Sequence, residues 1–198
     1  FLEKQSILLW MKNEEQLIDA ALEGDEDAFE LLLYPYRNKM LNLSYRMVGN
    51  LEDAKEVCQE AVFKIFRYLK GYKKGKSFKN WMYKIVVNSA NDFLRKKKKH
   101  ENIFAMKKAL ADYVSTNPET QFLNREVRDK IASCLENLTP KERAVFLLRD
   151  GEGLSIKEAA RVLGASSVSV RTHLSRARQK LRGRLVKIFP DESLESQK

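Results

Sequence analysis

Residue types that signal particular chemistries are scarce in this sequence. It contains two cysteines and two histidines among 198 residues. Cys58 and Cys134 lie far apart on apolar faces of expected helices, with no ligand pattern around them, so we expect buried free thiols rather than a disulfide. The cytoplasm is then the expected compartment. His100 and His173 each lack a second ligand nearby, so we expect no metal site at either.

Long apolar runs and a secretion signal are also missing. No stretch approaches the ~20 consecutive apolar residues that a membrane-spanning helix needs. The N-terminus does not show a basic, an apolar and a cleavage region in that order. We therefore expect no membrane insertion. Residues 1–10 precede Met11, which resembles a natural start, so we interpret them as a non-native or upstream extension.

The sequence offers no arrangement typical of catalysis. It has no cluster of carboxylates with histidines, no metal-ligand spacing and no phosphate-binding loop. We therefore expect a protein that is not an enzyme, with no cofactor and no small-molecule substrate. What it has instead is positive charge, because 37 Lys and Arg against 27 Asp and Glu give a net charge of +10. This excess favours a polyanionic partner, either nucleic acid or an anionic membrane surface.

Apolar residues recur at helical spacing along the chain, and no run alternates as a strand would. The sequence therefore predicts an all-α protein with two small helical domains and two independent cores. In the first domain we expect one long helix from residue 25 to Gly49, another over residues 54–69 and a third over residues 78–97. We place the first domain at residues 11–99, a linker at 100–124, the second domain at 125–189 and a tail at 190–198.

A helix-turn-helix is predicted at residues 155–181. Ser155 and Glu158 form a capping box, and Gly164 ends the first helix. The second helix is expected to bury Val170, Leu174, Ala177 and Leu181. Its opposite side then presents guanidinium and hydroxyl groups suited to bases and phosphates of duplex DNA: Arg171, Thr172, Ser175, Arg178 and Arg182. The alternative is a solvated basic face on a structural helix.

Two further faces of the first domain suggest binding. The acidic and aromatic set Glu56, Gln59, Glu60 and Phe63 projects away from an apolar stripe, which suits a protein partner, although an ordinary charged surface would look similar. A basic loop at residues 71–77 and the helix after it combine cations, amides and an aromatic ring. That combination suits single-stranded DNA, whereas the lysines of residues 96–99 alone would fit a solvated charge run.

These residues resemble the bacterial RNA polymerase sigma factors. Residues 53–61 and 78–88, with Asp92 and Arg95, resemble sigma domain 2. Residues 158–164, 170–171 and 176–178 resemble the helix-turn-helix of sigma domain 4. The short linker and the length are similar to the extracytoplasmic-function (ECF, group 4) class.

The resemblance implies a function in promoter-specific initiation of transcription. Glu56, Gln59, Glu60 and Phe63 would bind the β′ clamp of core RNA polymerase, and domain 4 would rest on the β flap. The −10 element would be recognised and melted by Tyr72, Lys73, Lys74, Lys76, Lys79, Lys84, Asn88, Asn91 and Arg95. The −35 duplex would be read by Ser167, Ser169, Arg171, Thr172, Ser175, Arg176 and Arg178. The class also implies an anti-sigma factor as a partner.

The turn of the helix-turn-helix departs from the family pattern. Residues 166–170 read Ser-Ser-Val-Ser-Val where the family often has Pro-Val-Gly-Thr-Val, and Ala159 replaces a larger aliphatic residue. A free-standing helix-turn-helix regulator is the alternative function. It would explain the second domain but neither the acidic face nor the basic loop of the first.

Overall fold

The computed structural model describes residues 13–107 and 133–188, and every regular element in these two ranges is helical. The expectation of an all-α fold is confirmed. The interpretations of residues 1–10, of the linker beyond residue 107 and of the tail lie outside the described residues. The helices are α1 (Glu14–Leu22), α2 (Glu26–Leu33), α3 (Arg37–Val48), α4 (Leu51–Tyr68), α5 (Phe78–Lys107), α6 (Pro140–Phe146), α7 (Ile156–Leu163) and α8 (Ser167–Ile188).

Local capping sets where the N-terminal helices begin. The Asn13 side chain accepts from the Gln16 amide at 3.0 Å in a capping box. Asp25 caps α2 in the same way through the Ala28 amide, at 2.9 Å. These side chains satisfy amides that have no partner within the helix. Gly49, at φ 95°, ends α3 in the left-handed conformation that glycine adopts without strain.

The single helix expected from residue 25 to Gly49 is wrong. Pro35 lies in a 3₁₀ turn, Tyr34–Tyr36, that separates α2 from α3. Proline has no amide hydrogen and its ring clashes with the carbonyl four residues earlier, so an uninterrupted helix cannot run through it. Residues of both α2 and α3 line a groove that is described below.

The third helix is longer than expected. It was expected to end near Lys97, but α5 continues to Lys107. Residues 100–107, which were assigned to the linker, therefore extend the helix of the first domain.

The apolar stripe of α4 is only partly buried. Ala54, Val57, Ala61 and Ile65 are buried as expected, whereas Phe66 is 51% exposed. Phe66 thus lies outside the core, although it belongs to the same apolar face of the helix. Its ring meets the ring of Phe29 edge-on, with the centroids 5.2 Å apart.

The C-terminal helices pack as expected around α8. Val170, Leu174, Ala177 and Leu181 are all buried. Helix α6 begins with a Thr139 capping box, and a π-helical turn, Leu147–Gly151, leads from α6 towards α7.

The two blocks do not have independent cores. Helix α5 contacts α7, and α3 contacts α6. The buried apolar residues of both blocks form one contiguous cluster. The division into two domains at the stated boundaries stays a prediction, but the expected separation of their cores does not hold.

Candidate nucleic-acid interface and protein-docking groove

The helix-turn-helix is held by side-chain caps at both helix starts. Glu158 accepts from the Ser155 amide at 2.8 Å, and Ser155 accepts from the Glu158 amide at 3.2 Å. These bonds, and one from the Asn80 side chain, lower the pKa of Glu158 to about 2. Gly164, at φ 60°, ends α7, and Ser166 accepts from the Ser169 amide at 3.1 Å to start α8. The turn is therefore fixed by local hydrogen bonds.

The outer face of α8 presents cations and hydroxyls to solvent. Arg171, Thr172, Ser175 and Arg176 are exposed on it. Within the described part of the chain, neither Arg171 nor Arg176 forms an ion pair. The Thr172 hydroxyl donates to the Val168 carbonyl at 3.0 Å, so its oxygen remains available as an acceptor. Free guanidinium groups beside hydroxyls are suited to base edges and phosphates in a major groove.

Arg178 differs from the other arginines of the predicted −35 set. Its guanidinium donates twice to the Asp150 carboxylate, at 2.9 and 2.7 Å. This pair raises the pKa of Arg178 and neutralises its charge. Arg178 is therefore already paired, unlike Arg171 and Arg176. Ser167 and Ser169, which also belong to the predicted −35 set, are half-buried at the start of the helix.

Some residues predicted to bind the −10 element are exposed, and others already contact side chains of the protein. Lys73, Lys76, Lys84 and Asn88 are exposed along the loop and α5. Three others are engaged. Lys74 pairs with Asp19 at 2.5 Å, Arg95 pairs with Asp92 at 3.1 Å, and the Lys79 ammonium lies 5.9 Å from the centroid of the Tyr83 ring. The Asn91 side-chain oxygen is buried, with no hydrogen-bond partner among the described residues.

Tyr72 does not present a free ring. Its centroid lies 5.4 Å from that of Trp81 and 5.7 Å from that of Phe78, with both rings near edge-on, and its hydroxyl donates to the Lys76 carbonyl. Burial, with Glu14 and Glu15 nearby, raises the pKa of Tyr72. The ring anchors the basic loop onto the domain and is partly buried there. Its contact with a −10 base stays a prediction.

A groove that sequence analysis missed lies between α2, α3 and α4. It encloses about 830 Å³. Its apolar lining includes Phe29, Leu33, Met40, Leu41, Val62, Phe63 and Phe66. Phe63 is 57% exposed there, and charged groups form its rim, among them Glu30 and Arg37, which pair at 2.5 Å. The missed signal was Pro35, since a break in the helix opens this space.

The predicted polymerase-binding residues lie beside this groove. Glu56, Gln59, Glu60 and Phe63 are all exposed on α4, and Gln59 and Phe63 line the groove itself. Glu60 pairs with Lys64 at 3.4 Å, along the helix. The structure therefore joins an acidic face to an apolar recess, which an ordinary charged surface would not have.

Other kinds of site find no support in the described ranges. No helix there is long and apolar enough to cross a membrane. No group of three potential metal ligands occurs among the same residues. Cys58 and Cys134 are free thiols; Cys134 is buried and Cys58 only partly so. Burial raises the pKa of the Cys58 thiol.

A cationic helix-turn-helix packed against a second helical unit defines a DNA-binding protein, and the apolar groove of that second unit is a candidate docking surface. Residues 32–100 match Sigma-70 region 2, and residues 128–181 match Sigma-70, region 4. The RNA polymerase sigma-H factor of Pseudomonas aeruginosa is 30% identical over 182 residues, which cover 87% of this chain and 93% of that protein. The ECF RNA polymerase sigma-E factor of Escherichia coli K12 is 30% identical over 177 residues, covering 84% and 91%.

Two solved structures share the fold. CnrH, in complex with the cytosolic domain of CnrY, aligns with a TM-score of 0.66 at 24% identity, covering 88% of this chain and 97% of that one. The sigma factor RpoE of Bartonella quintana, in complex with the anti-sigma factor NepR, aligns with a TM-score of 0.64 at 18% identity, covering 79% and 96%.

The chain belongs to the ECF RNA polymerase sigma factors. It is a promoter-recognition factor for transcription initiation, and a free-standing regulator is not favoured. Sigma factors are generally not enzymes.

Proposed function

We propose that separate surfaces of this chain bind polymerase and the two promoter elements. The observation that carries the proposal is that Arg171 and Arg176 of α8 are exposed and form no ion pair with any described residue, opposite a buried apolar stripe. This face reads the −35 duplex, with Thr172 and Ser175 adding hydroxyl contacts. Arg178 supports the helix through Asp150 rather than contacting DNA.

Core polymerase docks through its β′ clamp on α4. Phe63 supplies an exposed aromatic at the groove, and Glu56 and Glu60 supply negative charge beside it. An apolar centre with a charged rim is the usual anatomy of a specific protein interface. The C-terminal domain then rests on the β flap.

The −10 element lies along α5 and the basic loop before it. The exposed lysines of this surface, Lys73, Lys76 and Lys84, contact backbone phosphates, while the exposed Asn88 faces a base. The side-chain oxygen of Asn91 is buried, so Asn88 is the amide of the predicted set that is accessible to DNA. Contacts to a flipped base offset the cost of unstacking it.

An anti-sigma factor is the proposed regulatory partner, because one structural neighbour is a complex with such a factor. The place of action is the cytoplasm, with the polymerase.

Run-off transcription from a matching promoter with core polymerase tests the proposal. The full chain should direct specific initiation yet bind free promoter duplex weakly. Tight, specific duplex binding without any polymerase-dependent transcription would instead support the free-standing regulator.

A triple variant tests the docking face. Glu56→Ala, Gln59→Ala and Glu60→Ala together should weaken polymerase binding and leave the helical content unchanged. A matched control, Glu23→Ala with Asp27→Ala, removes the same negative charge from exposed positions outside the groove. Equal polymerase affinity for both variants would refute the docking assignment.

A further inference from the structure

Val168 is the most exposed large apolar side chain among the residues that the structure describes. It is 69% exposed, whereas the next, Phe63, is 57% exposed and lines the groove beside α4. Val168 is the second residue of α8, between Ser167 and Ser169, which are half-buried. A single exposed valine is common on protein surfaces. The position of Val168 on α8, rather than its exposure alone, therefore has to indicate a function.

Val168 belongs to the face of α8 that is proposed to read the −35 duplex. Arg171, Thr172 and Ser175 follow it at the spacing of one helical face, and all three are exposed. The buried apolar stripe of α8 lies on the other side of the helix. In a helix-turn-helix, the N-terminal residues of the second helix contact base edges in the major groove. Val168 therefore lies where bases, and not only phosphates, are contacted.

The backbone around Val168 is held by local hydrogen bonds in the free protein. The Ser166 hydroxyl accepts from the Ser169 amide at 3.1 Å, and the Thr172 hydroxyl donates to the Val168 carbonyl at 3.0 Å. In addition, a valine in a helix has one strongly preferred χ1 rotamer. The methyl groups of Val168 thus need little ordering when they meet a partner, so little of the free energy of a contact is lost to entropy.

The major groove offers one apolar group that a valine can contact. This group is the C5 methyl of thymine, whereas the other base edges present hydrogen-bond donors and acceptors. A valine side chain has neither a donor nor an acceptor. Packing it against a polar base edge would remove water from that edge and return no hydrogen bond. The chemistry of Val168 therefore favours thymine over the other bases.

We propose that Val168 selects a thymine in the −35 element by packing its methyl groups against the C5 methyl of that base. This inference rests on the proposed function, because α8 must lie in the −35 major groove. It adds an apolar contact to a predicted −35 set whose members are all polar. Val168 precedes Arg171 by about 4.5 Å along the helix axis. Neighbouring base pairs are about 3.4 Å apart, so this thymine lies about one or two base pairs from the one that Arg171 contacts.

Replacing thymine by uracil tests the contact, because it removes the C5 methyl and leaves the hydrogen-bonding groups of the base in place. The probe is a matching promoter, found by run-off transcription and prepared as a set of synthetic duplexes. In each duplex, one −35 thymine of either strand is replaced by deoxyuridine. Holoenzyme assembled from core polymerase and the full chain is titrated with every duplex.

One of these replacements should weaken binding of the parent holoenzyme about fourfold, which is the effect of removing one methyl-sized group from an apolar contact. Val168→Ala should bind the thymine duplex more weakly than the parent, and it should lose nothing further with deoxyuridine at that position. Alanine favours a helix more than valine does, so α8 should be kept, which circular dichroism checks. The matched control, Val186→Ala, removes the same methyl groups near the other end of α8, where Val186 is 52% exposed. It should respond to deoxyuridine as the parent does.

The outcomes separate this inference from the proposed function. If the holoenzyme prefers particular −35 bases but no deoxyuridine weakens its binding, the Val168 contact is wrong and the proposed function stands. An equal response to deoxyuridine in the parent and in Val168→Ala also overturns the contact, because another residue then meets the methyl group. If no −35 base substitution changes binding and Arg171→Ala has no effect, the proposed −35 function is overturned, and the inference with it.

Discussion

Helices α4 and α8 are both long and amphipathic, with 18 and 22 residues, yet they differ in how much of their apolar side is buried. Helix α8 buries Val170, Leu174, Ala177 and Leu181 and leaves arginines outside, with exposed apolar residues such as Val168 and Val186 only near its two ends. Helix α4 leaves Phe63 and Phe66 more than half exposed beside a groove. The middle of α8 thus carries free charge, whereas α4 carries free apolar surface.

This difference indicates two kinds of partner. Exposed apolar area is driven towards another apolar surface, with little dependence on salt. Unpaired guanidinium groups are driven towards phosphates, and that attraction falls steeply as salt rises. Affinity for polymerase through α4 should therefore resist salt far better than affinity for DNA through α8.

The largest expected effect is on polymerase affinity and comes from removing an exposed aromatic ring of α4. Phe63→Ala should weaken binding to core polymerase by about 2 kcal/mol or more, since a central exposed aromatic is a typical hot spot. Titration of labelled protein with core enzyme measures the loss. Tyr68→Ala removes a ring of similar exposure outside the groove, and a loss as large in this variant would count against the groove.

The second-largest effect is expected for DNA affinity when an exposed arginine of α8 is removed. Arg171→Ala should cost about 1–3 kcal/mol at one −35 base pair if the guanidinium bonds a base in two places. Binding of polymerase holoenzyme to promoters with each −35 base substituted measures this. A uniform loss across all sequences would reveal a phosphate contact instead.

A smaller effect is expected at Arg178, which sharpens the contrast among arginines of one helix. Because Asp150 already neutralises it, Arg178→Ala should leave −35 affinity close to that of the parent. The partly exposed pair should contribute roughly 0.2–1 kcal/mol to stability, which thermal unfolding measures. Arg176→Ala is the matched comparison on the free face, and equal DNA losses for the two would show that the Asp150 pair opens on binding.

The smallest expected effect is on the pH dependence of stability and concerns Glu158. Its pKa is lowered to about 2 in the folded protein from an ordinary value of 4.5, so folding favours its ionised form. The stability it contributes is complete above pH ~4.5 and is lost as the pH falls towards 2. Denaturant unfolding at pH 6 and pH 3.5 should show a smaller pH-dependent loss in Glu158→Gln than in the parent. Equal losses would show that other carboxylates dominate.

Much of the helix-turn-helix was predictable from the sequence because the interactions that form it are local. The Ser155–Glu158 capping box, Gly164 and the apolar period of α8 act within a few residues, and all were found where expected. The break at Pro35 was equally local but was overridden by an apolar period that runs through it. That error also hid the groove, since one continuous helix would have closed it.

The sequence by itself determined the helical class, the helix-turn-helix and the family, because capping, periodicity and motif spacing depend on neighbours along the chain. Only the tertiary structure decided which polar groups are free. Asp150 and Arg178 are 28 positions apart, and Tyr83 and Glu152 are 69 apart. No periodicity reports contacts over such distances. The engagement of Tyr72, the exposure of Phe63 and the hydrogen bonds between the two helical blocks are therefore properties of packing.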